Sequence, residues 1–192
     1  MLILASASAI RARMLADAGI CHDVDPARID EDRVKRDSSD PRAIATELAK
    51  AKALAVSGER PGRWVVGSDS VVSVGDIRFG KPRSRDEAAE HLRRFSGQSM
   101  ELTSAVALAI DSRIDWSHCD RAVLQVRELS EQFIAAYLDQ DWPAVGQCVG
   151  VFRMEGPGVQ LFDRVEGSHF TVLGMPLLPL LGALRERGLI AR

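Results

Sequence analysis

Val65-Val66-Gly67-Ser68-Asp69-Ser70-Val71-Val72 places one carboxylate and one glycine inside a run of valines. Valine on both faces reads as a strand buried on both sides of a sheet, where a carboxylate is costly without a partner. The same letters also suit a turn, with Gly-Ser-Asp-Ser separating two short strands and Asp69 capping backbone amides. The first reading makes Asp69 a buried charge with a task, the second a cap.

Upstream of this stretch, residues 2–5 read as a short buried strand running through Ser6-Ala7-Ser8 into a helix over 9–18, closed by Gly19. Ser8 is the expected N-cap. Backbone amides, serine hydroxyls and the guanidinium groups of Arg11 and Arg13 converge there, as at an anion site or at an ordinary capped helix. A second strand over 20–24 precedes a polar stretch over 25–40. There Asp30, Glu31 and Asp32 suit a hard divalent cation or a solvated loop. Asp40-Pro41 opens a helix that ends at Gly58. Its Lys50 and Lys52 face different sides, so at most one points into a shared site.

Downstream, residues 73–78 read as a hairpin or tight turn leading to Gly80-Lys81-Pro82, and Ser84-Arg85-Asp86-Glu87 has capping-box spacing for a helix over 85–95. Strands over 99–110 and 115–127 are joined so briefly that they must be antiparallel. A helix runs from Ser130 to about Asp139, a Gly-punctuated run follows over 146–158, then a strand over 158–164 and a last helix over 177–187. The expected fold is α/β: a mixed sheet with flanking helices, in two lobes around a cleft.

Composition limits the function. A chain of 192 residues, 46% hydrophobic, buries about 70% of its unfolded surface without staples. Its 25 basic and 27 acidic residues give a net charge of −2, and its aromatics are six Phe, three Trp and one Tyr. Neither favours a nucleic-acid partner, and any polyanion must be held by local cations. No stretch is apolar over 18 residues, and the apolar opening before Ser6 is too short for a signal segment, so no membrane partner and a cytoplasmic location are expected. Cys21, Cys119 and Cys148 are widely spaced and form no CxxC pair, consistent with a reducing compartment and against a structural zinc site.

Seven separated motifs occur in order: Leu4-Ala5-Ser6-Ala7-Ser8 with Arg11; Ile29-Asp30-Glu31; Leu48-Ala49 with Lys52-Ala53; Gly67-Ser68-Asp69; Gly80-Lys81-Pro82; Phe152-Arg153-Met154-Glu155-Gly156; and Gly174-Met175-Pro176-Leu177. With these motifs and their intervals, the chain resembles the Maf family. Its members are nucleoside triphosphate pyrophosphatases, also called septum formation inhibitor proteins, of inosine-triphosphatase-like fold. The resemblance implies one Maf-like domain over 1–192. It implies hydrolysis of a nucleoside triphosphate to the monophosphate and pyrophosphate with Mg²⁺ or Mn²⁺, in a cytoplasmic, often homodimeric enzyme. By position, Asp69 matches the catalytic proton acceptor. Ser6, Ser8, Arg11, Lys52 and Lys81 match substrate-binding residues, and Glu31 with Asp69 matches the acids at the metal. Attack of water on the α-phosphorus requires such a set: a base or metal ligand, a metal, and cations for the leaving pyrophosphate. Asp69 as base and Asp69 as ligand are both open.

The family divides by substrate into a dTTP/UTP branch and a 7-methyl-GTP branch. Gly-Ser-Asp in place of Gly-Ala-Asp, Phe152 in place of Tyr, and Glu155 in place of Gln lean to the second branch. Guanine offers N1–H and N2–H₂ side by side to a carboxylate, whereas uracil and thymine set one N–H between two carbonyls. Glu155 also fits a solvated turn. Ile10 and Ser70 depart from that branch, which has an aromatic residue and Gln there, so dTTP or UTP hydrolysis is the alternative. A further alternative is a nucleotide-binding regulator of septum formation with incidental turnover.

Overall fold

The computed structural model describes residues 2–191. In it β3 runs unbroken from Val65 to Val74, buried at every position except Ser70 and Val74, so the alternative of a Gly-Ser-Asp-Ser turn is overturned. The seven strands join in both parallel and antiparallel pairs, which bears out the mixed α/β expectation. The chain forms two compact units.

The first unit comprises residues 2–70, 103–120 and 168–191. Strand β1 (Leu2–Leu4) leads into α1 (Ala9–Asp17) and β2 (His22–Val24), and pairs in parallel with both β2 and β3. Ser6 and Ser8 therefore follow the carboxyl end of a central parallel strand, where open α/β sheets present their ligand sites. The polar stretch expected as a loop contains helix α2 (Glu31–Asp37). Asp30 caps it by accepting from the Arg33 amide at 3.1 Å. Acids fill its first turn and bases its last, an arrangement favoured by the helix dipole.

Helix α3 (Pro41–Glu59) starts as expected, with Asp40 accepting from the amides of Arg42 and Ala43. Its buried stripe is Ile44, Ala45, Leu48, Ala49, Ala53, Val56 and Ser57. Strands β5 (Ser99–Ile110) and β6 (Arg113–Val126) are joined by Asp111-Ser112, both left-handed at φ 49° and 60° without a glycine. A two-residue hairpin of type I′ needs that conformation at both central positions. Side-chain contacts hold it there: Ser57 Oγ accepts from the Ser112 amide, and Asp111 Oδ1 from the Gly62 amide. The core gathers Leu2, Leu4, Met14, Leu15, Val66 and Leu108 with Leu180 and Leu184 of the last helix, Leu177–Glu186.

The second unit comprises residues 71–102 and 121–167. The end of β3 turns through Gly75 into β4 (Ile77–Phe79), antiparallel to it with Phe79 opposite Val72. Helices α4 (Arg85–Phe95) and α5 (Glu131–Asp141) are capped by Ser84 and Ser130 as expected. The strand expected over 158–164 is corrected: Pro157–Leu161 is a 3₁₀ turn, and β7 (Phe162–Glu166) follows it, antiparallel to β6. Proline has no amide for a ladder, and a Cβ on Gly158 would lie 2.6 Å from the Arg153 nitrogen, so this segment is folded back rather than extended.

Candidate active site

Strand β3 and helix α3 approach so closely that only glycine fits between them. A Cβ on Gly67 would lie 2.1 Å from the Ala49 carbonyl oxygen and 2.6 Å from the Ala53 nitrogen. Side chains alternate along a strand, so Asp69 faces the same way as Gly67, toward α3. One turn of α3 meets it there: Lys52 Nζ donates to Asp69 Oδ1 at 2.6 Å. The same ammonium lies 2.7 Å from Glu31 Oε1, and Lys35 Nζ donates to Glu31 Oε2 at 2.9 Å. The side chains of Lys52 and Asp69 retain only 12% and 10% of their exposure, so the carboxylate foreseen inside the valine run has its partner. Lys50 points away and pairs with Glu47, as the two-residue offset requires.

Glu31 thus lies in a helix and not in the expected loop, and its carboxylate is held between two lysines. Burial acts to raise its carboxyl, but the hydrogen bonds and charges of Lys52 and Lys35 outweigh it and hold the group at about 2.

Arg11 is engaged by the protein itself. Its Nε donates to the Gly174 carbonyl at 2.9 Å, Nη1 to the Ser68 carbonyl at 2.8 Å and to Ser6 Oγ at 3.3 Å, and Nη2 to Ser70 Oγ at 3.0 Å. Four donations of the five N–H groups of a guanidinium are accounted for. Burial lowers its pKa, while Asp69 and Glu31 act to raise it. Ser68 and Ser70, on the strand face opposite Asp69, extend this network. Ser68 Oγ reaches the carbonyls of Ala105 and Gly174, and Ser70 Oγ reaches Gly174 and Ser104. Ser6 accepts from the Ser8 amide. Ser8 stands at the N-cap position of α1 but makes no side-chain cap, so that part of the expectation is corrected.

Lys81 and Glu155 lie in the second unit, both exposed. Their charges act on the Cys148 thiol: burial and then Glu155 raise its pKa, while Arg153 and Lys81 lower it. The segment carrying Glu155 is anchored at Arg153, whose Nε donates to Asp141 Oδ2 at 3.1 Å and whose Nη2 bonds Oδ1 of the same carboxylate. Asp141 is buried, and Tyr137 donates to the Val151 carbonyl at 2.9 Å.

Sequence reasoning missed Ser68, Ser70, Ser104, Lys35 and the Gly174 carbonyl. The available signal was the alternation Gly67, Ser68, Asp69, Ser70, which sends polar groups to both faces of one strand.

Among the described residues no three His, Cys, Asp or Glu side chains gather as a complete metal cage. Glu31 and Asp69 do converge on one cationic point, the Lys52 ammonium. Two hard carboxylate donors are the number Mg²⁺ takes from a protein when substrate phosphates and water supply the rest, so the donor chemistry fits.

Similarity to known proteins extends along the chain. It is 44% identical to a 7-methyl-GTP pyrophosphatase of Rhizobium etli, with 98% of this chain and 97% of that protein covered. It is also 44% identical to a nucleoside triphosphate pyrophosphatase of Sphingopyxis alaskensis, with 98% of each covered. Among solved structures, a HAM1 protein from Coxiella burnetii is 14% identical over 65% of this chain and 72% of its own, with a TM-score of 0.43, a likeness too slight to argue from. The model of the Maf-like protein family matches residues 1–187, and the chain belongs to that family.

Proposed function

We propose that this chain hydrolyses nucleoside triphosphates to monophosphate and pyrophosphate, with Asp69 as the residue on which the chemical step depends. The observation that carries this is Lys52, whose single ammonium is shared by the buried Asp69 and by Glu31. In the reaction a water oxygen bonds to the α-phosphorus, the bond from that phosphorus to the oxygen bridging it to the β-phosphate breaks, and the water's proton passes to the Asp69 carboxylate. In the free protein Lys52 holds Oδ1 of that carboxylate, while Oδ2 accepts no hydrogen bond from any described residue and is the oxygen that takes the proton. Mg²⁺ or Mn²⁺ held by Glu31 and Asp69 supplies, when bound, positive charge against the phosphate oxygens.

Ser6 and Ser8 contribute their hydroxyl groups to phosphate binding. Arg11, committed to the protein, acts by holding β3 and the Gly174 turn in place. Lys81 has no carboxylate partner among the described residues and offers its ammonium to phosphate. Glu155 is the base-recognising residue, a reading supported by its exposure and by the similarity to the R. etli 7-methyl-GTP pyrophosphatase. A cytoplasmic location is consistent with three free cysteines and with the absence, among the described residues, of a helix long and apolar enough to cross a membrane.

The test is direct. Purified protein with Mg²⁺ or Mn²⁺ and a panel of nucleoside triphosphates, 7-methyl-GTP, UTP and dTTP included, is assayed for pyrophosphate. Release that falls by about 10³-fold or more in Asp69→Asn is expected, the scale lost when general-base function is removed from a phosphoryl-transfer site. No release above the variant on any nucleotide overturns the proposal.

A further inference from the structure

Lys52 occupies the point that a metal held by Glu31 and Asp69 would need. Its nitrogen is 2.6 Å from one carboxylate and 2.7 Å from the other, and both bonds are made by one ammonium. The anchoring of the two acids is unequal. Glu31 keeps a second partner, Lys35, one helical turn away on its own helix, so it stays oriented if Lys52 departs. Asp69 has only Lys52 as an ion-pair partner among the described residues, on a strand whose backbone is fixed by the α3 contact at Gly67. Lys52 itself is a compact charge on a four-carbon stem, able to swing where a guanidinium fork could not. A triphosphate carries about four negative charges against the two of the Glu31–Asp69 pair, and competes with that pair for the ammonium.

We infer that Lys52 is an exchangeable internal cation: it closes the Glu31–Asp69 pair to divalent metal in the free protein, and opens the pair when a nucleotide's phosphates draw it away. This rests on the pyrophosphatase reading and adds to it an order of events. The free protein binds metal weakly, and metal enters with or after the nucleotide. A site that admits metal only beside its substrate keeps two carboxylates from being locked to an ion before there is anything to hydrolyse.

The experiment is Mn²⁺ binding to nucleotide-free protein, followed by electron paramagnetic resonance of the unbound ion. Lys52→Met keeps the length of the side chain and removes the charge. It is expected to bind one Mn²⁺ at least about tenfold more tightly than the parent, since one adjacent positive charge is lost and no competitor remains. Adding Glu31→Gln to Lys52→Met is expected to abolish the gain, and Lys52→Arg is expected to stay as weak as the parent. Equal Mn²⁺ affinity in parent and Lys52→Met overturns the inference, as does a gain that survives Glu31→Gln. If Lys52→Met is unfolded without metal, recovery of its helical circular dichroism on addition of Mn²⁺ is the supporting result, and no recovery overturns it. Lys52→Gln repeats each arm. Pyrophosphate release by the parent is measured separately, so failure of the hydrolytic reading and failure of the exchange appear in different assays.

Discussion

Lys52 Nζ reaches Asp69 Oδ1 at 2.6 Å because α3 and β3 touch at Gly67, two residues before the aspartate. Any side chain at 67 must push the helix off the strand, since the two nearest atoms it meets, the Ala49 oxygen and the Ala53 nitrogen, are backbone. Gly67→Ala is therefore expected to destabilise the protein by about 2–3 kcal/mol, the upper range for overpacking a rigid contact. It should also reduce turnover more than nucleotide affinity. Urea unfolding with steady-state kinetics checks both, and a variant as stable and active as the parent refutes the contact.

Arg11 separates two accounts of one residue. A phosphate ligand replaced by lysine keeps its charge, leaves stability untouched and weakens nucleotide binding. A clamp with four donations to Gly174, Ser68, Ser6 and Ser70 cannot be replaced by an ammonium with three donors and no fork. Arg11→Lys is expected to lose about 2–4 kcal/mol of stability, from buried acceptors left unpaired. Its kcat should fall further than its KM rises. An unchanged unfolding midpoint with a raised KM favours the ligand account.

The acid limb of stability should carry a contribution from Glu31. Its folded value, about 2, lies below the ordinary 4.5, so folding favours the ionised form. The contribution is complete above 4.5 and is lost as pH falls through about 2. Glu31→Gln lacks it: the stability gap between parent and variant is expected to be constant above pH 5 and to close progressively below 4.5. With the carboxylate 38% exposed, that gap is at most about 1 kcal/mol. Urea titrations at successive pH values measure it, and a gap that widens on acidification contradicts the assignment.

The proposed part of Glu155 in base choice can be tested without a stability argument, because the residue is exposed and makes no hydrogen bond with any described residue. Glu155→Gln is expected to lower kcat/KM for 7-methyl-GTP relative to UTP by about 10-fold or more, the scale of losing a charge-assisted pair. If the ratio of the two substrates is the same in parent and variant, the carboxylate does not read the base.

Much of the fold could be read from capping chemistry. Asp40-Pro41, Ser84 and Ser130 announce their helices, and the short Asp111-Ser112 link forces its strands antiparallel. Helix α2 escaped because it buries no residue, so its sequence has no apolar period and only its cap and end charges mark it. The 3₁₀ turn at Pro157–Leu161 escaped because contact between Gly158 and the Arg153 backbone, not local preference, fixes it. In the site, Asp69 was legible as a charge where none belongs. The use of Arg11 was not: an arginine in a first helical turn reads the same whether it meets phosphate or carbonyl oxygens. Only the fold brings Gly174, 163 residues away, under its guanidinium.

The hydroxyls behind Asp69 form a chain whose proton direction is not unique. Ser70 and Ser104 lie 2.8 Å apart, and each also faces a carbonyl, Gly174 for the first and Thr171 for the second. Two protons serve three contacts. Either Ser104 donates to Ser70, which donates to Gly174, or Ser70 donates to Ser104, which donates to Thr171. In both cases Arg11 supplies its own proton to Ser70. The turn at 171–174 is therefore joined to β3 by a relay with two polarities, and one carbonyl of that turn goes without a proton from the pair in each. Removing the Ser104 hydroxyl fixes the polarity toward Gly174.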